Sequence, residues 1–160
     1  MEAVILVGLQ GSGKSTFCKE RFWGTHLRLN LDMLKTRNRE RLLLAVCVET
    51  NLRFVVDNTN PTRAERGVYI EAVRKVKMRV VGYVFTSPLA DCLRRNDQRP
   101  EAQRVPHRGV TATATRYEAP TLAEGFDALF TVTNDDAGGF GVEEVASEAP
   151  PQATPGERRV

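Results

Sequence analysis

A glycine-rich stretch near the start of the chain has the residue types of a phosphate-binding loop. Residues 8–15 read Gly-Leu-Gln-Gly-Ser-Gly-Lys-Ser, which fits the pattern GxxxxGK[ST], and they lie between an apolar run and a predicted helix. Glycines let consecutive backbone N–H groups and the positive end of the helix converge on an anion. A glycine-rich turn without a ligand is the weaker alternative. We therefore predict that ATP or another NTP binds to Gly8, Gly11, Ser12, Gly13, Lys14, Ser15 and Thr16.

Two oxygen-bearing side chains are candidates for a magnesium site beside these phosphates. The hydroxyl of Ser15 would be a ligand of the Mg²⁺ that bridges the phosphates, while Lys14 adds positive charge. Asp57 follows the apolar residues Val55 and Val56, and an acid in this position contacts the metal shell through water. The sequence therefore predicts metal contacts at Ser15 and Asp57.

Asp32 is a candidate for acid–base chemistry. It follows a candidate strand, which we expect to lie beside the strand that precedes the phosphate loop, and ligands bind at the carboxyl edge of such sheets. A carboxylate there can accept the proton of an attacking hydroxyl. Asp is also a preferred N-cap of a helix, so both roles stay open.

Three short polar residues, Asn58, Thr59 and Asn60, continue the same sheet edge after Asp57. They are also typical of an ordinary turn before Pro61. We favour a functional interpretation, because all four side chains would face the phosphate loop.

A basic stretch follows later in the chain and contains Arg94, Arg95, Arg99, Arg104 and Arg108. Arg95 and Arg99 are four residues apart and project from one face if the helix persists. Their guanidinium groups could close over a nucleotide as a lid, or the stretch could be a solvated basic face.

Alternating strands and helices must position these residues. We predict strands at 3–7, 27–31, 54–56, 79–85 and 129–132, and helices at 14–21, 33–50, 61–76 and 88–96, with a short helix before the last strand. This order predicts an α/β fold with a parallel sheet covered by helices on both faces.

The 160 residues suffice for one domain and exclude a large modular enzyme. The apolar run near the start, residues 3–7, is far shorter than a membrane span and lacks the basic leader and cleavage site of a signal peptide. The three cysteines lack metal or disulfide spacing. We therefore expect an intracellular protein, cytoplasmic or nuclear, that is not attached to a membrane.

Charge and composition divide the chain. Residues 1–134 contain 21 basic and 14 acidic residues, a net charge of +7, whereas residues 135–160 contain six acidic residues and two arginines. A basic domain is compatible with nucleic acid or nucleotide phosphate as partner. The acidic tail, with its glycines and prolines, is predicted to be disordered, either as a solvated remnant or as an interaction tail.

Residues 3–132 resemble the polynucleotide 5′-kinases, especially the kinase domain of polynucleotide kinase-phosphatases. The resemblance rests on GxxGSGKSTF at residues 8–17, Asn30-x-Asp32, Asp57-Asn58-Thr59-Asn60-Pro61, and the string Glu-Ala-Pro-Thr-Leu-Ala-Glu-Gly-Phe at residues 118–126. Arg95-Asn96-x-x-Arg99 with Val105-Pro106 is similar to the lid of the phage enzyme.

The resemblance implies a P-loop NTPase fold with an arginine-bearing lid. It implies that Asp32 is the general base for a 5′-OH, that Lys14 and Ser15 handle ATP and Mg²⁺, and that Arg95 and Arg99 are lid arginines. Lys35, Asn58 and Thr59 are then candidate substrate contacts. The implied activity is transfer of the γ-phosphate to the 5′-OH ends of DNA or RNA during repair, with a separate phosphatase or ligase as possible partner proteins.

The sequence departs from the family in places. Asn30-Leu31-Asp32 stands where the family often has Asn-Arg-Asp, and the link before the third strand is several residues shorter. The motifs of a 3′-phosphatase, DxDxT, and of a fused ligase, KxDG, do not occur. A small-molecule kinase and a nucleotide-binding module without acceptor activity stay open as alternatives.

Overall fold

A computed structural model describes residues 1–146 as one six-stranded sheet with helices on both faces. The strands are β1 (Glu2–Val7), β2 (Leu27–Leu29), β3 (Phe54–Val56), β4 (Arg79–Phe85), β5 (Ala128–Asn134) and β6 (Phe140–Glu144). The helices are α1 (Lys14–Arg21), α2 (Leu31–Leu34), α3 (Arg37–Glu49), α4 (Arg63–Arg74), α5 (Leu89–Asp97) and α6 (His107–Arg116). Short 3₁₀ turns lie at Glu101–Gln103 and Leu122–Glu124.

The strands lie in the order β2-β3-β1-β4-β5-β6, with β1 to β5 parallel and β6 antiparallel to β5. Residues of β1 alternate between two cores. Ala3, Ile5 and Val7 pack with α3 and α4, and Val4 and Leu6 pack with Phe17 and Phe22 beside α1. Burial of both faces explains the unbroken apolar run, and the predicted α/β fold is confirmed.

The position of β2 corrects one prediction. We expected β2 beside β1, but β3 lies between them and pairs with both. All three residues of β3 are buried, whereas only Leu29 of β2 is buried. The fully apolar strand therefore takes the interior position and the half-polar strand takes the edge.

The helix predicted at residues 33–50 is two helices. Lys35 adopts a left-handed conformation at φ 71° and ends α2, and the side chain of Thr36 then caps α3 by accepting from the Arg39 N–H. The capping threonine is the local reason for the break.

The prediction of a disordered segment from residue 135 onward is wrong for residues 140–144. These residues form β6, which pairs with β5 from Phe130 to Asn134. Phe140 packs edge-on against Phe17 at 5.3 Å between ring centroids. Residues 135–139 form the turn that connects β5 to β6, and the part of the prediction that concerns residues 147–160 lies outside the described residues.

The three cysteines, Cys18, Cys47 and Cys92, are buried and free. In residues 1–146, no helix is both long and apolar enough to cross a membrane.

Candidate functional site

The phosphate loop connects the end of β1 to the start of α1. Gly11 and Gly13 have φ of 79° and 99°, which L side chains rarely adopt. A Cβ on Gly11 would overlap the carbonyl oxygen of Cys92, and one on Gly13 would lie 2.7 Å from Asn134 Nδ2. The loop is therefore enclosed by α5 on one side and the end of β5 on the other, and both glycines are required.

Lys14 is the first residue of α1, and its ammonium folds back onto the loop. Nζ donates to the carbonyl oxygens of Gly8 at 2.8 Å and Leu9 at 2.6 Å. Burial lowers the pKa of Lys14 to about 8, although the carboxylates of Asp57 and, more weakly, Asp32 oppose this shift. A phosphate would therefore meet a poorly solvated ammonium that gains strongly from a new anionic partner.

Asp57 ends β3 and lies beside the loop. Its Oδ2 accepts from the Ser15 hydroxyl at 2.9 Å and from Arg28 Nε at 2.8 Å. Its carbonyl oxygen accepts from Asn30 Nδ2 at 2.6 Å. The structure thus brings Ser15 and Asp57 together, as the sequence predicted, and adds Arg28 from the neighbouring strand.

Ser15 and Asp57 fit a magnesium ion chemically, because Mg²⁺ prefers hydroxyl and carboxylate oxygens. Asp57 Oδ1 accepts no hydrogen bond within the described part of the chain. No cluster of three or more candidate metal ligands occurs in residues 1–146. These two oxygens would therefore hold the metal together with phosphate oxygens and water.

Asp32 lies in the first turn of α2, exposed and without a hydrogen bond to any of residues 1–146. The N-cap of α2 is Asn30, whose side chain accepts from the Met33 N–H at 3.1 Å. Our capping interpretation of Asp32 was therefore wrong, because the helix begins at Leu31, two residues before the predicted start. The carboxylate of Asp32 stays available, near enough to Lys14 to affect its pKa.

Asn58 is committed to contacts within the protein. Its Oδ1 accepts from the backbone N–H of Leu31 at 3.0 Å, and its Nδ2 donates to Glu40 Oε1 at 2.7 Å. The Tyr69 hydroxyl donates to the same oxygen of Glu40 at 2.9 Å. This network ties the residue before Asp32 to α3 and α4, so Asn58 positions α2. A substrate contact of Asn58 stays a prediction.

The other candidate residues occupy varied places. The carbonyl oxygen of Thr59 accepts from the Gly8 N–H at 3.0 Å, which ties the segment after β3 to the phosphate loop. Thr16 is exposed on α1, and Lys35 is exposed at the end of α2. No contact of residues 1–146 brings Lys35 to the loop, and its substrate role stays a prediction.

The two arginines predicted for the lid differ in their surroundings. Arg95 donates from Nε to Asp136 at 2.7 Å and from Nη1 to the Gly11 carbonyl at 3.3 Å and the Ser87 hydroxyl at 3.1 Å. The guanidinium of Arg99 has no acceptor within residues 1–146, and its charge helps to lower the pKa of Lys14. Arg95 is thus held in place, whereas Arg99 is an uncommitted cation near the loop.

Several residues of the site were not anticipated. Arg28 pairs with Asp57, and Glu40 with Asn58. Asn60, which the sequence did single out, donates from its buried amide to the Leu6 carbonyl at 2.7 Å. A charged residue inside the apolar β2 was a signal for Arg28. Glu40 and Asp136 had no signal, because their partners are distant in sequence.

A family model described as an AAA domain, AAA_33, matches residues 28–120, more than half of the chain. The match includes Asp32, Asp57 and both arginines that the sequence predicted for a lid, and it begins after the phosphate loop. The family match and the phosphate loop are therefore separate indications of a nucleotide site.

A search of curated proteins found the bifunctional polynucleotide phosphatase/kinase of Schizosaccharomyces pombe, which is 28% identical over 132 residues. The matched region covers 78% of this chain and 32% of that protein. The chain therefore spans about a third of the length of this relative.

Solved structures with the same fold include Chaetomium thermophilum Kti12 in complex with ADP-AlF3, with a TM-score of 0.63 and 15% identity over 84% of this chain and 90% of Kti12. A gluconokinase from Sinorhizobium meliloti has a TM-score of 0.56 and 18% identity, covering 82% of each chain. The Mycobacterium tuberculosis APS kinase in complex with AMPPNP and APS has a TM-score of 0.55 and 19% identity, covering 84% of this chain and 88% of the kinase. These similarities confirm a P-loop kinase-like fold.

Proposed function

Because the chain belongs to the AAA_33 family of AAA domains and has the fold of a P-loop kinase-like nucleotide-binding domain, we propose that it transfers the γ-phosphate of ATP to the 5′-OH of DNA or RNA. The single observation that carries this proposal is the pair of carboxylates beside the phosphate loop. Asp57 is engaged by Ser15 and Arg28, whereas Asp32 is exposed and uncommitted.

The chemistry follows from this division. The backbone N–H groups of the loop and the ammonium of Lys14 hold the phosphates, and Ser15 and Asp57 would hold Mg²⁺. The metal would neutralise charge between the phosphates. Asp32 accepts the proton of the attacking hydroxyl while the hydroxyl oxygen bonds to the γ-phosphorus. ADP leaves as the bond between the γ-phosphorus and the oxygen of the β-phosphate breaks.

The choice of a polynucleotide as acceptor is supported by similarity to the fission yeast phosphatase/kinase. Two strings that carry the resemblance have structural roles in this chain. Asn58 fixes the start of α2, and Glu124 forms a bidentate pair with Arg66 of α4 at 2.7 and 2.8 Å. The first string thus positions the helix that carries Asp32, and the second holds α4. The product, a 5′-phosphorylated end, is what a separate ligase in an intracellular repair pathway would use.

The test is transfer of labelled γ-phosphate from ATP and Mg²⁺ to DNA and RNA oligonucleotides with a 5′-OH. The matched control substrates are the same oligonucleotides with a 5′-phosphate, and Asp32→Asn is the matched control variant. We expect label on the 5′-OH substrates with the unchanged protein, and none on the 5′-phosphate substrates. Binding of ATP without transfer to any oligonucleotide would contradict the proposal.

A small-molecule kinase is the second candidate, and one observation favours it. A cavity of about 540 Å³ lies between α3 and α4, and its lining includes Arg37, Glu40, Leu44 and Tyr69. Glu40 and Tyr69 belong to the network that fixes the start of α2. Assay of sugars, sugar acids and nucleosides beside the oligonucleotides distinguishes the two, and a protein that phosphorylates none of these would be a nucleotide-binding module.

A further inference from the structure

The turn between β5 and β6, residues 135–139, lies against the phosphate loop. The residues that flank it, Asn134 and Phe140, both approach Gly13. A Cβ on Gly13 would lie 2.7 Å from Asn134 Nδ2 and 3.1 Å from the ring of Phe140. Both ends of the β5–β6 turn therefore pack against the phosphate loop, although the sequence of the turn was predicted to be disordered.

Asp136, within this turn, receives two arginines of α5. Its Oδ1 accepts from Arg95 Nε at 2.7 Å, and its Oδ2 accepts from Arg94 Nη2 at 2.9 Å. Charge-assisted pairs of this kind are stronger than neutral hydrogen bonds. The Arg95 side chain is only 15% exposed, whereas that of Asp136 is 48% exposed, so the arginine is held inside the site by a carboxylate at its rim.

The remaining donors of Arg95 show how it is held. Nε is used by Asp136, and Nη1 donates to the Gly11 carbonyl and to Ser87 Oγ. Nη2 donates to no acceptor in residues 1–146. The guanidinium is therefore fixed from three sides beside the phosphate loop, with one nitrogen and its two protons left for a ligand.

We propose that Asp136 is a positioning residue of the nucleotide site, which fixes the Arg95 guanidinium so that its free nitrogen binds the phosphates of the nucleotide. This inference rests on the nucleotide-binding part of the proposed function and does not depend on the acceptor. A fixed guanidinium loses little conformational entropy when the ligand arrives.

The side chain of Asp136 is not needed to build the turn. Asp135 Oδ1 accepts from the N–H groups of Ala137 at 3.0 Å and Gly139 at 2.8 Å, and Asn134 Oδ1 accepts from the Asp136 N–H at 3.1 Å. Asp136 has a φ of 62°, which asparagine and glycine also adopt. Asp136→Asn and Asp136→Gly therefore test the carboxylate with the turn intact.

Asp91 offers a matched control. Its carboxylate accepts from Arg94 at 3.3 Å and contacts no atom of Arg95 closely enough for an ion pair. Asp91→Asn thus removes one negative charge beside Arg94, as the Asp136 variants do, but it leaves the contact between Arg95 and Asp136 in place.

The experiment is calorimetric titration of ATP with Mg²⁺ into the unchanged protein, Asp136→Asn, Asp136→Gly, Asp91→Asn, Arg95→Ala and the double variant Asp136→Asn/Arg95→Ala. We expect both Asp136 variants to weaken ATP binding about tenfold, the size of one charge-assisted contact. Asp91→Asn should stay within about twofold of the unchanged protein. The double variant should bind no more weakly than Arg95→Ala, because the two residues act as a unit.

Three results would overturn the inference while leaving the proposed function in place. These are unchanged affinity in the Asp136 variants, additive losses in the double variant, or tighter binding, which would mean that Asp136 competes with the phosphates. If the unchanged protein binds no ATP, the proposed function fails and the inference fails with it. Melting temperatures of both Asp136 variants within a few degrees of the unchanged protein would confirm that the fold is retained.

Discussion

The surroundings of Asp32 and Asp57 prepare two chemically identical groups for different roles. Asp57 is 2% exposed and accepts from a hydroxyl and a guanidinium, whereas Asp32 faces solvent without a partner in residues 1–146. Asp57 already holds Ser15 and Arg28 through Oδ2, and the same carboxylate is the candidate ligand of Mg²⁺. The uncommitted carboxylate is therefore the candidate base.

Replacement of Asp32 separates a role in chemistry from a role in folding. Asp32→Asn and Asp32→Ala should both retain ATP affinity and melting temperature, because Asn30 caps α2. Turnover on a 5′-OH oligonucleotide should fall about 10²- to 10⁴-fold in both variants. The control Asn30→Ala should lose about 1 kcal/mol of unfolding free energy. An active Asn variant at position 32 would show that another group takes the proton.

The lowered pKa of Lys14 predicts a pH-dependent affinity for ATP. The free protein loses the Lys14 proton above about pH 8, whereas bound phosphate favours the charged ammonium and raises its pKa. Binding above pH 8 should therefore take up a proton, and affinity should fall as pH rises, approaching tenfold per pH unit. Below pH 8 the ammonium is already charged, and this dependence disappears.

Calorimetry at about pH 9, in two buffers with different ionisation enthalpies, measures this uptake. The unchanged protein should take up close to one proton per ATP. Lys14→Met is the matched control and should bind weakly with no such uptake. Equal uptake in both proteins would assign the proton to another group.

Local contacts made the phosphate loop predictable, and long-range contacts hid the rest of the site. Lys14 binds the carbonyls of Gly8 and Leu9, which lie within the same motif. Arg28 reaches Asp57 over 29 residues, because β2 pairs with β3 in the register that places Arg28 beside Val55. No pattern in the sequence determined that register.

At the scale of elements, most strands and helices could be predicted from the pattern of apolar residues. The errors arose where a capping residue divided a helix, or where burial set the order of two strands. Thr36 starts α3 inside a segment that reads as one helix. The exchange of β2 and β3 between edge and interior depends on which strand can be buried on both faces.

Arg66 of α4 and Glu124 of the second 3₁₀ turn form the most deeply buried ion pair in residues 1–146. Their side chains are 0% and 4% exposed, and Arg66 Nη1 also donates to the carbonyls of Asn60 and Pro61. Arg66 therefore joins α4 both to the second 3₁₀ turn, through Glu124, and to the segment after β3, through the two carbonyls.

Glu124→Gln should therefore destabilise the protein by about 3 to 5 kcal/mol, because it leaves a buried guanidinium without its counter-ion. Urea unfolding measures the change. Glu118→Gln is the control, since Glu118 is exposed and its side chain accepts, among residues 1–146, only from the Arg63 N–H. The control should stay within about 1 kcal/mol of the unchanged protein, since it replaces one exposed hydrogen bond. A similar loss in both variants would contradict a special role of the buried pair.

At the scale of the whole molecule, β6 changes the boundary drawn from charge and composition. The net charge of +7 on residues 1–134 suggested a domain that ends with β5. The sheet continues to Glu144, since Val132 pairs with Val142 and Phe140 packs against Phe17 and Phe85. Composition failed here because β6 is a short edge strand with two glutamates, and edge strands tolerate charge.

Shortened chains test this boundary. A chain that ends at residue 139 loses β6 and the ring contacts of Phe140. We expect its free energy of unfolding to fall by at least about 2 kcal/mol. This minimum is smaller than the cost of replacing a fully buried Phe by Ala, because the ring of Phe140 is partly exposed. The melting temperature of this chain should fall by about 4 °C or more. ATP binding should weaken as well, because the wall beside Gly13 is lost.

The matched control is a chain that ends at residue 146, which keeps the strands β1 to β6. It should retain the melting temperature and the ATP affinity of the full chain. Thermal melting and calorimetry on the three proteins decide the matter. Equal melting temperatures for the chains that end at residues 139 and 146 would show that β6 contributes nothing to stability. An equal ATP affinity in those two chains would show that the site needs only the residues up to 139.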